Sequence, residues 1–398
     1  MTTMFKRVIL LAGLLLAGCT NSSAATQPKA TQYTNPTAVT QLETAMPTHN
    51  TPVAPTATPT PANTATPLPS STPSATPSPS PSPTPRPQLR QLASGGCCVQ
   101  PFFSPDSRQV LFIDKPGPNA PTGIYGLDLA KPQATPVLVN ETIGFRSADR
   151  TIVATIEGDL VRFENERSGQ SWTVDTGGNW PRFGPDGSKI LWEARDREGP
   201  YDRRRSDIWL ADLDGSNPQR LLSVTGGGFS GWLPDGEHIL LLDRQDPTQE
   251  ERTLVLYNLV SKQRTNLVTE RRLRGIDISS GGSWIAYFLT FADEPDKNGI
   301  WVVSSDGSTR KKLDTPGFGA YRWRNDNTLL YIPMRGNPAE SMRLWSIDVA
   351  TGQNRPLTDP AAVSFSISNG DWDVSPDGQH VVFVNSADQN IWLISLPE

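Results

Sequence analysis

The sequence predicts an all-β fold: a seven-bladed β-propeller built from four-stranded antiparallel blades. Three observations lead there. First, one or two apolar residues followed by Ser-Pro-Asp-Gly, or a worn copy of it, recur with anchors at residues 104, 147, 184, 233, 279, 324 and 375. Second, the anchors are 43, 37, 49, 46, 45 and 51 residues apart, and a period of about 40–50 residues is that of a propeller blade. Third, a β-rich run follows each anchor. Dividing the globular part by seven gives about 44 residues per repeat, and six or eight blades fit that figure less well.

The well-kept copies are Phe103-Ser104-Pro105-Asp106-Ser107, Phe183-Gly184-Pro185-Asp186-Gly187, Trp232-Leu233-Pro234-Asp235-Gly236 and Val374-Ser375-Pro376-Asp377-Gly378. Those at Ser147, Ser279 and Arg324 are degraded. Proline fixes φ, aspartate bonds to nearby backbone and glycine accepts positive φ, so the phrase is a turn with a mechanism. In the third repeat it separates a short strand at Trp180–Phe183 from Ile190–Ala194. Ile208–Asp212 and Arg220–Leu222, joined by the turn Asp214-Gly215, complete strands a to d. Strand c carries an aliphatic–aromatic pair in six repeats: Ile124-Tyr125, Ile208-Trp209, Leu256-Tyr257, Ile300-Trp301, Leu344-Trp345 and Ile391-Trp392. Leu160-Val161 stands there in the second. A large ring at one recurring strand position is expected to pack between neighbouring blades.

The seventh repeat reaches Glu398 just after strand c, without a strand d. Pro87 to Ser94 precedes the first repeat and resembles the strand-d stretch Pro218 to Ser223. The N-terminal strand is therefore expected to supply the missing outer strand of the last blade, which removes the free edge.

The Pro-Asp-Gly turns, followed two or three residues later by an apolar strand, resemble the WD40-like propeller repeat of TolB-type proteins. The resemblance spans residues 87–398 and is strongest in repeats one, three, four and seven. It implies a β-propeller and an extracytoplasmic location. It implies little about activity, because the same repeat serves binding proteins, sensors and the propeller halves of peptidases.

Residues 1–18 read as a signal peptide. Lys6-Arg7 gives a basic start, Val8 to Ala17 an apolar run too short to span a bilayer, and Leu16-Ala17-Gly18-Cys19 resembles the bacterial lipobox. Cys19 is thus expected to carry lipid, the only membrane attachment expected. Residues 19–86 are rich in Ser, Thr and Pro with almost no large apolar side chains, so they cannot offset ordering entropy and are expected to form a disordered linker. Extended as polyproline II they would reach about 100–200 Å. Residues 87–398 form the propeller domain.

Candidate chemistry is sparse. A peptidase of this kind would need an added hydrolase domain with a Gly-x-Ser-x-Gly elbow, and none is visible after the linker. His49 falls in the linker, while His238 and His380 occupy the same repeat position in different blades, which offers neither a metal cluster nor a triad. Asp106, Asp186, Asp235 and Asp377 read as turn residues. Gly226-Gly227-Gly228 lacks the context of a phosphate loop, and Asp371-Trp372-Asp373 lacks that of a calcium loop. Cys97-Cys98 are adjacent and are candidates for a vicinal disulfide. No cofactor and no metal are expected, and a formal net charge of −5 gives no reason to expect nucleic acid.

What remains is a surface. The d-to-a connections and the b–c loops share one face of a propeller. Here they bring Trp180, Phe229, Phe318 and Tyr321, together with Arg195, Tyr201, Arg203 and Arg204 of a loop holding five arginines and three acids. Aromatic residues and arginine are the types enriched at interaction surfaces. The expected function is that of a lipid-anchored, extracytoplasmic binding or scaffold protein, a monomer whose partner is an envelope protein, peptide or glycan. The alternative is an extracytoplasmic hydrolase or lyase acting at the channel mouth.

Overall fold

The repeated turn does its work through two backbone bonds and one carboxylate. In the first repeat the Ser104 amide donates to the Gln109 carbonyl at 2.9 Å, and the Ser107 amide donates back to Ser104 at 2.9 Å. Gly184 with Lys189 and Ser375 with His380 repeat the pattern. Asp106 Oδ1 accepts from the Ser104 hydroxyl at 2.6 Å and from the Arg108 amide at 3.1 Å. Those bonds hold its carboxyl below the usual aspartate range. Asp186 and Asp235 are likewise tied to their own turns, through Ser188 and through Glu237 and His238.

The computed structural model describes residues 87–94, 99–131, 135–246, 248–315, 317–334 and 341–397. The signal peptide, Cys19, the linker and Cys97-Cys98 lie outside them. The described residues form seven four-stranded antiparallel sheets. In the third blade the strands are Pro181–Phe183, Lys189–Arg195, Arg205–Asp212 and Gln219–Thr225, with Trp192 opposite Trp209. Strands a of blades 2–3, 4–5, 5–6, 6–7 and 7–1 touch one another and lie on the inner ring. The seventh sheet closes as the sequence predicts. Gln88–Ala93 pairs antiparallel with Ile391–Ser395, outside His380–Asn385 and Ile367–Val374. Leu89 packs on the blade 6–7 core and Leu92 on the blade 7–1 core.

The core lies between blades rather than within them. Among the described residues, apolar clusters join blades 2–3, 3–4, 4–5, 5–6, 6–7 and 7–1. The strand-c aromatics sit in or against these clusters, with Trp209 stacked on Trp192 at 5.9 Å. None of these clusters among the described residues joins blades 1 and 2. There Arg150 lies over the Phe102 ring at 4.5 Å, beside an open cavity of about 630 Å³. In blade 2 Arg162 stands opposite Thr155 where blade 3 has Trp209 opposite Trp192, and the strand-c ring it does carry, Phe163, packs into the blade 2–3 core instead.

The degraded fifth turn has an external repair. Gly281 stands where the other repeats have aspartate, and Asp326 of blade 6 takes over the role. Its Oδ1 accepts from the Ser279 hydroxyl at 2.5 Å and from the amides of Gly281 and Ser283 at 3.0 and 3.1 Å. Neighbouring turns are also joined elsewhere. Arg324 donates to the carbonyls of Gly378 and Pro397, and the Asp377 amide donates to Ser107. The a–b turn face is thus fastened from blade to blade.

Candidate functional site

Two regions gather chemistry: the inner ring and the face opposite the repeated turns. In the inner ring the informative position lies two residues before each anchor. Around the circle it holds Phe102, Phe145, Arg182, Gly231, Asp277, Arg322 and Asp373. The residue just before each anchor packs toward the preceding blade, as Phe103 and Trp323 do. The position before that reaches toward the next blade, because strand side chains alternate. Phe102 meets Arg150 of blade 2, and Phe145 lies under Arg182 of blade 3 at 4.9 Å. Arg322 lies over Trp372 of blade 7 at 5.6 Å.

On blades 5 to 7 this ring becomes ionic. Burial pushes the Asp277 carboxyl up to about 6, against the opposing pull of Arg322. Asp373 is raised by burial too, despite bonds from the amides of Val374 and Phe103 and the nearby Arg322 charge. One guanidinium thus serves two largely desolvated carboxyls. Sequence reasoning missed these residues, although the signal was present: charged side chains two positions before a turn, in strands that are otherwise apolar.

On the other face, the expected residues separate into two groups. Around blade 3, Arg195 forks to Glu193, donates to the Gly227 carbonyl at 2.9 Å and lies over Tyr201 at 4.9 Å. Arg204 approaches the same ring at 5.7 Å and donates to Gly199. These two arginines build the loop, and the short 3-10 turn Tyr201–Arg203 presents Tyr201 at 70% exposure with Arg203 beside it. Phe229 is half-buried against Trp232, and Trp180 is exposed beside Phe145 at 4.6 Å.

Phe318 belongs to a different place, between blades 5 and 6. It is 53% exposed and lies 5.0 Å from the Phe288 ring. Tyr321 does not join the surface. Its ring is buried in the blade 5–6 core and its hydroxyl donates to the Gly275 carbonyl. The reason is its register: it sits inside strand a, paired with Tyr331, rather than in the connection before it.

Around Phe318 an open cavity of about 770 Å³ is lined by Arg274, Phe288, Phe291, Thr290, Lys312 and Asp314, among others. This volume is within the usual range for small-ligand sites, about 300–1,000 Å³. Phe291 is 74% exposed and adopts φ +55°, a left-handed conformation unusual for a bulky residue. The run Arg271-Arg272-x-Arg274 at the start of strand a was the overlooked sequence signal for this cavity. Among the described residues no group of three or more His, Cys, Asp or Glu is arranged to hold a metal ion. His238 is held by Asp235 and Asn258, as a turn residue would be.

No protein-family model and no curated protein matches the sequence. Solved structures do. An oligogalacturonate lyase in complex with manganese aligns with a TM-score of 0.56 at 16% identity, covering 78% of this chain and 96% of that one. The oligogalacturonate lyase of Vibrio parahaemolyticus gives 0.57 at 14% identity, covering 78% and 94%. The chain shares their fold. A TolB-type structure from Agrobacterium tumefaciens is also similar, at 19% identity and a TM-score of 0.38, covering 76% and 91%. At these identities the likeness is one of fold, and the chemistry has to be argued from the side chains above.

Proposed function

We propose that this chain is a lipid-anchored, extracytoplasmic binding protein. Cys19 holds it at the membrane, the proline-rich segment acts as a stalk, and the face made by the d-to-a connections and b–c loops takes a protein, peptide or glycan partner. The observation that carries the reading is the blade 5–6 cavity. It is open, largely apolar, and rimmed by exposed phenylalanines and by arginine and lysine. Residues with those properties serve binding better than folding. The test has two arms. Cys19→Ala should move the protein from the membrane to the soluble fraction. Phe291→Ala with Phe318→Ala should abolish ligand retention while leaving the melting temperature within about 1 °C, as expected for exposed side chains. Unchanged retention would remove the cavity from the argument.

A second reading has a specific observation behind it. Asp277 and Asp373 flank Arg322 in the inner ring, with Asp277 raised to about 6, in the range where a carboxyl can exchange a proton near neutral pH. The structures that share the fold include oligogalacturonate lyases. Elimination from a uronide creates an ultraviolet-absorbing double bond. Turnover lost on Asp277→Asn would favour this reading, and no absorbance change on oligogalacturonate would dismiss it for that substrate.

A further inference from the structure

The chemistry of the blade 5–6 cavity goes beyond a general binding role, and this step rests on the reading of that cavity as the ligand site. We propose that it takes a carboxylate-bearing sugar chain. Three features of the cavity converge on that class.

The first is its apolar surface. Phe318 and Phe288 form a tilted pair, with centroids 5.0 Å apart and planes at 37°, and Phe291 stands exposed beside them. Flat phenyl faces without a hydroxyl suit the C–H face of a pyranose ring. Phe291 keeps its position at φ +55° although solvent surrounds it, so burial does not account for it.

The second is charge. The rim acids are largely consumed: Asp293 and Glu250 pair with Arg271, and Glu294 pairs with Lys297. The cations are not. Arg274 lines the cavity, and Arg272 lies 6.0 Å above the Phe291 ring. The Lys312 ammonium donates to the Asp296 carbonyl, and Arg252 donates to the Leu273 carbonyl. Asp314 and Asp296 offset two of these four cations, leaving a net excess of two positive charges, with Arg274 and Lys312 in the cavity wall. Burial together with the Arg244 and Arg274 charges lowers the basicity of Arg252, against the opposing pull of Asp202, as expected where guanidiniums crowd. A ligand carboxylate between Arg274 and Lys312 would relieve that crowding, and arginine presents the forked donors such a group accepts.

The third is polar capacity inside the wall. Thr290 and Asn298 stand in its wall, beside the phenylalanines. The Asp314 carboxylate lines it too. A carboxylate in the wall accepts hydrogen bonds from a ligand rich in hydroxyls. Ring faces, one anionic group and many hydroxyls together describe a hexuronate chain better than an acidic peptide, which lacks the flat apolar faces.

Calorimetric titration of the full mature protein would test this with three probes: a hexuronate tetramer, its carboxyl-reduced neutral counterpart, and a glutamate oligomer of equal charge. The uronate is expected to bind at least tenfold more tightly than either of the others. Arg274→Gln should reduce uronate affinity about tenfold without changing affinity for the neutral chain. Phe318→Ala should weaken both. Equal binding of the neutral chain would overturn the carboxylate assignment and leave the cavity as a sugar site. Equal or tighter binding of the glutamate oligomer would overturn the sugar assignment. If no probe binds while Phe291→Ala with Phe318→Ala still abolishes retention of the native ligand, the ligand class is wrong and the site reading stands.

Discussion

Asp326→Ala should destabilise a turn in a blade to which Asp326 does not belong. The side chain leaves blade 6 and accepts three hydrogen bonds in blade 5, from the Ser279 hydroxyl and the amides of Gly281 and Ser283. Burial works against its ionised form, and those bonds outweigh it, so the carboxyl stays below its usual range. Hydrogen bonds to a charged group contribute about 1.5–3 kcal/mol each, but they share one acceptor and two of the donors are exposed. A total near 2–3 kcal/mol is a fair order of magnitude, more than the roughly 0.5–2 kcal/mol of an ordinary helix-cap loss. At about 2.1 cal/mol/K per residue over roughly 310 residues, this lowers the melting temperature by about 3–5 °C. Calorimetry or thermal circular dichroism reads it directly. The decisive arm is Gly281→Asp. A Cβ at Gly281 would lie 2.6 Å from the Asp326 Cγ, so this change alone should destabilise by crowding and like charge. Combined with Asp326→Ala, it returns the aspartate to the repeat's own position and should recover most of the loss. A double variant no better than the worse single, or an Asp326→Ala variant with unchanged melting, refutes the borrowed-carboxylate account.

Other expectations follow from the same architecture. Deleting residues 88–93 unpairs Ile391–Ser395 and uncovers two inter-blade cores, so the melting temperature should fall by well over 5 °C; a truncation that melts like the parent would disprove the closure. Asp277 titrates near 6 when folded, against 3.8 when exposed, so its stabilising contribution is complete below pH 3.8 and lost as pH rises through about 6. Asp277→Asn should therefore add up to about 2–3 kcal/mol at pH 8 and almost nothing at pH 3.5. Chemical denaturation at both values would read the difference, and equal effects would contradict the burial argument. The blade 1–2 seam lacks an apolar cluster among the described residues, so hydrogen exchange should be fastest along strands Gly123–Asp128 and Ile152–Glu157 compared with their counterparts in other blades. Uniform protection around the ring would count against that weakness.

The blade count, the strand order within a blade and the N-terminal closure were legible because they rest on local rules repeated seven times. A Pro-Asp-Gly turn fixes its own geometry, and an aromatic in strand c needs a neighbouring blade. The sites were less legible because they rest on what is not repeated. The borrowed Asp326 carboxylate depends on two unlike repeats lying side by side, and Asp277 and Asp373 gain their character from an arginine in the blade between them. Tyr321 shows the converse error: it is the third residue of the buried strand Gly319–Trp323 rather than part of the connection that ends at Phe318, and sequence resolves strand ends poorly. Arg195 and Arg204 lie in an aromatic–arginine loop, and their donors are spent on Glu193, Gly227 and Gly199.

The two faces of the ring are therefore under different physical demands. On the a–b turn face, consecutive turns are bonded to one another by Asp326, Arg324 and the Asp377 amide, so a substitution there is felt in the adjoining blade. Such a face can change only in pairs, as Gly281 and Asp326 illustrate. The opposite face has loops that satisfy their own backbone, as the Arg195 loop does, and leaves Phe291 and Phe318 more than half exposed beside Arg274 and Lys312. A scaffold that fixes one face leaves the other free to vary. The same asymmetry explains why the six aspartates at the repeated position, the most conspicuous acids in the sequence, contribute to the turns, while the proposed binding residues occur once.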